Sequence, residues 1–163
     1  AARLFCLGAA PQDGTWMTAS LLDDFTAGDV RMHVRMAGQG TAADKVIVVR
    51  ARDSENRVEL NFRANFGSPV PINGGDLSVQ EMTDCVTTWR LEPDTISIPH
   101  GVNEQIDVEL ELRGENLQVW VNGVPAFDNV LTGVTTEAGA VGLAVFINNS
   151  SIRFDDFAVE SLD

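Results

Sequence analysis

Gly139-Ala-Val-Gly-Leu-Ala-Val-Phe-Ile147, then Asn148-Asn-Ser-Ser151, then Ile152-Arg-Phe-Asp-Asp-Phe-Ala-Val-Glu-Ser161 is the stretch whose reading decides the fold. Two apolar runs flank four polar residues, the pattern of a β-hairpin. The first run is almost continuously apolar, which suits a strand buried on both faces. The second alternates at Ile152 and Phe154, then resumes on the opposite parity at Phe157 and Val159. Two polar residues, Asp155 and Asp156, stand where one should, so the strand is expected to carry a β-bulge that re-aims its later side chains. The rest of the chain reads as strands built to pair with this one.

Upstream, Val30–Met36 alternates cleanly, with Val30, Met32, Val34 and Met36 on one side and Arg31, His33 and Arg35 on the other. Lys45–Arg52 is a nearly continuous apolar strand that ends basic. Arg57–Arg63 turns Val58, Leu60 and Phe62 inward. Asn65–Gly75 is the longest irregular segment, rich in Gly, Pro and Asn. Cys85–Leu91 and Thr95–Ile98 read as two strands around a turn at Glu92-Pro93-Asp94. Ile106–Leu112 and Leu117–Val121 follow, and Asn122-Gly123 is the strongest hairpin dipeptide in the chain. Pro125–Val130 reads as one more short strand. Twelve or so strands punctuated by Gly, Pro and Asn, with no helical period, predict an all-β chain. Its architecture is expected to be an antiparallel two-sheet β-sandwich. With 163 residues and no composition break, residues 1–163 form one domain.

The Gly-x-Val-Gly-Leu strand, the Phe-Asp-Asp-Phe-x-Val strand and Asn116-Leu-Gln-Val-Trp-Val-Asn-Gly123 together resemble the concanavalin A-like jelly rolls. This group holds laminin-G-like domains, carbohydrate-binding modules and laminarinase-type glycanases. The resemblance implies the jelly-roll fold and an extracellular, secreted or cell-surface setting. It leaves function among binder, enzyme and structural subunit.

Net charge is −13, which disfavours nucleic acid and anionic membrane as partners. No apolar run approaches the roughly 20 residues of a membrane helix. The charge is segregated: residues 30–63 hold seven of the eleven basic residues and only four acids. If residues 30–36, 45–52 and 57–63 are neighbours in one sheet, as sequential strands often are, Arg31, His33, Arg35, Arg57, Asn61 and Arg63 share an outer face, joined by Arg50 and Arg52. Such a cationic face would take an acidic polysaccharide through arginine forks. Alternatively it would dock on the acidic surface of a second copy and so build a filament or homo-oligomer. Solvated arginines are the plain alternative. Trp89, in Thr87-Thr88-Trp89-Arg90, is a candidate ring for stacking on a sugar, or else a core residue.

The acidic strand with Asp107, Glu109 and Glu111 resembles the Glu-x-Asp-x-Glu strand of laminarinase-type glycanases. However, Gln105 stands where that pattern has its nucleophile, so no catalytic residue is assigned. The reading is therefore a non-catalytic carbohydrate-binding or adhesion module. A self-assembling structural subunit is the first alternative and a glycoside hydrolase the weaker one. In the resembling jelly rolls an Asp near the last strand holds a structural Ca²⁺ with main-chain carbonyls, which makes Asp155 and Asp156 the metal candidates; a turn-bonded pair is the alternative. Cys6 and Cys85 are either a disulfide tying the N-terminal segment to the middle of the chain or two buried thiols. Asn148 and Asn149 head overlapping Asn-x-Ser sequons, glycosylation acceptors in a eukaryote.

Overall fold

The computed structural model describes residues 2–4, 17–22, 24–39, 45–63, 75–101, 104–146 and 151–163. Twelve strands and no helix occur among the described residues. They are β1 (Ala2–Leu4), β2 (Met17–Leu21), β3 (Val30–Gln39), β4 (Lys45–Ala51), β5 (Arg57–Arg63), β6 (Gly75–Thr83), β7 (Val86–Ile98), β8 (Gln105–Arg113), β9 (Asn116–Val121), β10 (Val124–Pro125), β11 (Ala140–Phe146) and β12 (Ser151–Ser161). A seven-stranded sheet runs β1-β2-β11-β4-β5-β6-β7, and a five-stranded sheet runs β10-β9-β8-β3-β12. All pairings are antiparallel. The fold is an antiparallel two-sheet β-sandwich, as expected.

The core lies between the sheets and follows strand parity. Val30, Met32, Val34 and Met36 of β3 and Ile106, Val108, Leu110 and Leu112 of β8 meet Ile47 and Val49 of β4 and Val58, Leu60 and Phe62 of β5, all inaccessible to water or nearly so. At about 25 cal/mol per Å², burying each such aliphatic side chain stabilises the fold by roughly 1.5–3 kcal/mol.

The closing hairpin is a correction. β11 pairs with β2 and β4, and β12 pairs with β3. The two apolar runs thus lie in opposite sheets and do not pair with each other. The reading that β11 is buried on both faces holds: Val141 and Ala144, of opposite parity, are 0% and 2% exposed. Its glycines are required by close approach. A Cβ at Gly142 would lie 2.3 Å from the Ser20 carbonyl oxygen, and one at Gly139 would lie 2.5 Å from the Arg50 carbonyl carbon. The bulge is where expected, between Asp155 and Ala158, with Asp156 at φ +49°. It moves the inward parity from Phe154 to Phe157 and Val159, all three packed on the core.

Three further differences have local causes. β6 is an addition to the strands expected: Leu77 and Val79 alternate with Asp76, Ser78 and Gln80, but Glu81 takes the next inward position and leaves the apolar pattern only two residues long; Asp76 and Ser78 are buried all the same. β7 is one strand through Pro93 rather than two. As the edge strand it pairs only with β6, and an edge tolerates a residue without an N–H. The Pro125–Val130 segment keeps only Val124–Pro125 as strand. The Asn122-Gly123 hairpin forms as expected, with φ +52° and +76°. Asp84 and Cys85, at +48° and +63°, make the equivalent turn between β6 and β7. Cys85 is disulfide-bonded, while Cys6 lies outside the described residues.

Candidate functional site

The expected single cationic face does not form. β3 belongs to the five-stranded sheet and β4 and β5 to the seven-stranded sheet, so Arg31, His33 and Arg35 lie on the opposite side of the molecule from Arg57, Asn61 and Arg63. The neighbour rule fails here because the chain changes sheets between β3 and β4.

The outer face of the five-stranded sheet is open. Its side chains form rows across the strands, fixed by register. One row holds Glu160, Arg31, Glu111 and Gln118; the next holds Ala158, His33, Glu109, Trp120 and Pro125; a third holds Asp155, Arg35 and Asp107. The outer rows are ion-pair ladders. Arg31 Nη2 donates to Glu111 Oε2 at 2.7 Å, and Arg113 Nε donates to Glu111 Oε1 at 2.6 Å. These two cations hold the Glu111 carboxyl below its ordinary range, Arg113 contributing most. Arg35 Nε donates to Asp107 Oδ1 at 3.0 Å, and Arg35 Nη1 lies 2.5 Å from Asp156 Oδ2. His33 Nδ1 is 3.1 Å from the Asp156 carbonyl oxygen, and its Nε2 is 3.7 Å from Asp107 Oδ1. A groove of about 190 Å³ runs over Met32, His33, Ala158 and Val159, between Glu109, Arg31 and Glu160.

The outer face of the seven-stranded sheet is divided. Ala19, Val46, Val48, Ala51 and Ala144 make an apolar half across β2, β11 and β4. The β5–β7 half is polar and mostly buried. Arg57 Nε donates to Glu59 Oε1 at 2.5 Å, and Gln80 Nε2 donates to Glu59 Oε2. Glu59 is 0% exposed, so both of its oxygens need such donors. Arg63 forks onto Asp76, Nε to Oδ1 at 2.8 Å. Asn61 is 4% exposed, and its side-chain oxygen has no hydrogen-bond partner among the described residues. Gln80 stands opposite Trp89, which is 42% exposed and continues the Glu59–Gln80 row to the sheet edge.

Arg50 and Arg52 join neither group. Arg50 is 1% exposed and adopts φ +51°. Its Nε donates to Gly28 O at 2.8 Å, its Nη1 donates to Thr135 O, and its Nη2 lies 3.4 Å from Asp29 Oδ1. It ties two loops together and is unavailable to a ligand. Burial pushes its guanidinium down from its ordinary value. Arg52 pairs with Glu137 and donates to Asn56 Oδ1 at 3.1 Å.

Of the two metal candidates, Asp156 faces Arg35, and Asp155 Oδ1 accepts the Asp156 N–H at 2.9 Å. No group of three or more His, Cys, Asp and Glu side chains suited to a metal assembles among the described residues. Asn148 and Asn149 lie outside the described residues. The acidic strand is the solvated outer face of β8, with Asp107 and Glu111 engaged by arginines. Trp120 was not assigned a face from sequence. Its register opposite Glu109 places it on the open face, a signal already present in the alternation of Val119 and Val121.

No protein-family model matches the sequence, and no curated protein does. Solved structures are similar in fold. The carbohydrate-binding module CBM66 from Bacillus subtilis superposes with a TM-score of 0.70 at 14% identity, over 92% of this chain and 84% of that one. CG-16, a homodimeric agglutinin from chicken liver, gives 0.60 at 12% identity, over 88% and 99%. A candidate glycosyl hydrolase from Parabacteroides distasonis gives 0.58 at 14% identity, over 93% and 82%.

Proposed function

We propose that this chain is a non-catalytic, extracellular carbohydrate-binding module whose ligand lies on the β6–β7 rim of the seven-stranded sheet. The observation that carries the reading is the Arg57–Glu59–Gln80–Trp89 row. Arg57 holds buried Glu59, and Glu59 accepts from the Gln80 amide nitrogen. The amide is thereby oriented and its oxygen left as an acceptor for a sugar hydroxyl. Trp89, the exposed ring of the row, supplies an apolar surface for the C–H face of a pyranose. An acceptor beside a ring, fixed before binding, saves the ordering cost that weakens flexible sites.

The arrangement favours a neutral glycan over the acidic one expected from the arginine count. Arg31, Arg35, Arg57 and Arg63 each already face a carboxylate, so a uronate would have to displace an internal partner, whereas hydroxyls can bind beside one. Similarity of fold to a carbohydrate-binding module and an agglutinin supports the general reading. Gln105 in place of a nucleophile supports the absence of catalysis, and the disulfide at Cys85 supports an oxidising, extracellular setting.

A glycan array followed by calorimetry tests the proposal. Trp89→Ala and Gln80→Ala are each expected to weaken the neutral-glycan signal, Trp89→Ala by about tenfold or more, as loss of roughly 1–3 kcal/mol of stacking implies. Retained binding in Trp89→Ala refutes the site; absence of any glycan ligand refutes the function.

A further inference from the structure

On the open face of the five-stranded sheet, the central row differs chemically from its neighbours. In the flanking rows Asp107, Glu111, Asp156 and Glu160 each face an arginine. In the central row Glu109 is exposed and its charge acts on Arg31, but Arg31 spends its close contacts on Glu111 and Glu160 rather than on Glu109. Register sets it between His33 on β3 and Trp120 on β9, and directly opposed side chains have Cβ atoms about 4.5–5.5 Å apart. Pro125 extends the apolar platform beyond Trp120, and on the other side the exposed Ala158 leaves the row low, beside a groove.

An unpaired carboxylate beside a half-buried indole matches an ammonium group. The carboxylate attracts it, the ring face adds cation–π attraction, and the net charge of −13 favours its approach. An anionic ligand finds no such partner, because Arg31 and Arg35 are engaged on either side. The row crosses four strand spacings, roughly 19 Å, which exceeds one sugar ring and suits an oligomer better than a single lysine side chain.

We propose that the row Ala158–His33–Glu109–Trp120–Pro125 is a second glycan site, independent of the Trp89 rim, that takes an amino sugar with its ammonium on Glu109 and its ring over Trp120.

The probe is a short β-1,4-linked glucosamine oligomer, titrated by calorimetry at pH 7 in low salt, with the N-acetylated oligomer and a lysine-rich peptide as comparisons. The amine oligomer is expected to bind in a salt-sensitive manner. The titrations are made in a Trp89→Ala background, where the rim site is removed, and there binding should weaken about fivefold in Glu109→Gln and about fivefold in Trp120→Ala, the scale of one exposed charge contact or one cation–π contact. Circular dichroism confirms that the variants fold. Equal affinity for the N-acetylated oligomer, insensitivity to Glu109→Gln, preference for the lysine peptide, or absence of binding would each overturn the proposal. Trp89→Ala separates the two sites, so failure here leaves the rim reading standing, and the reverse.

Discussion

Acid should destabilise this protein through one imidazole. His100 is 0% exposed, and neither ring nitrogen has a hydrogen-bond partner among the described residues. Burial, with the charge of Lys45 as the second cause, lowers its pKa from 6.5 to about 4. Lys45 is itself 1% exposed, so little water screens the pair. The folded state therefore keeps His100 neutral at pH values where the unfolded chain has already protonated it. Between pH 6.5 and 4 the unfolded state binds the extra proton, so stability falls as pH falls. The contribution is fully present above pH 6.5 and lost once pH passes below 4. A shift of that size is worth about 3 kcal/mol at 1.36 kcal/mol per unit, a large share of the 5–15 kcal/mol typical of a domain. The assay is urea denaturation from pH 7.5 to 3.5 for the parent chain and His100→Phe, which removes the titrating group and its two unpaired nitrogens. The stability of the parent relative to the variant should drop by about 3 kcal/mol across that range. An NMR titration of the His100 ring gives the folded pKa directly. A flat difference, or a ring that titrates near 6.5, refutes the reasoning.

Arg50→Met should cost about 3–5 kcal/mol of unfolding free energy in the same assay, because it leaves Asp29 and two loop carbonyls without their buried donor; a cost below about 1 kcal/mol would show that the loops do not depend on it. A Ca²⁺ ion at Asp156 would have to compete with Arg35, so the melting temperature is expected to be the same in chelator and in millimolar Ca²⁺. A rise with Ca²⁺ would support the metal reading instead, since a ligand that binds only the native state raises its stability.

What was legible in the sequence had a local physical signature. The bulge at Asp155-Asp156 shows as a change of apolar parity, and the Asn122-Gly123 turn as the residue pair that accepts positive φ. The inward faces of β3, β5 and β8 show as period-2 alternation. What was missed depends on partners. The polar residues between Gly139-Leu143 and Ile152-Phe154 look like a hairpin loop, because nothing local distinguishes a turn within one sheet from a crossing to the other. β6 carries a short signal because only Leu77 and Val79 hold its inward parity before Glu81 interrupts it, and nothing local tells that its polar face is buried, with Asp76 and Gln80 serving Arg63 and Glu59. The arginines resemble a cationic surface only when counted without their carboxylates. Most of those lie on other strands, and one of them, Asp107, belongs to the strand compared with a catalytic one; Glu59, two residues from Arg57 on β5, is the exception.

The position of β11 bears on how the molecule is made. Ala144 pairs with both Ala19 and Val46, so a strand from late in the chain is the filling between two early ones. While a ribosome delivers the chain from its N-terminus, β2 and β4 must wait with unsatisfied edges, and β3 waits likewise for β12. Neither sheet can zip up progressively. Completion requires pairings distant in sequence, which fold slowly, and the waiting edges are the kind that recruit foreign strands. Yield of native protein should therefore depend on temperature and chain concentration during synthesis more strongly than the final stability would suggest.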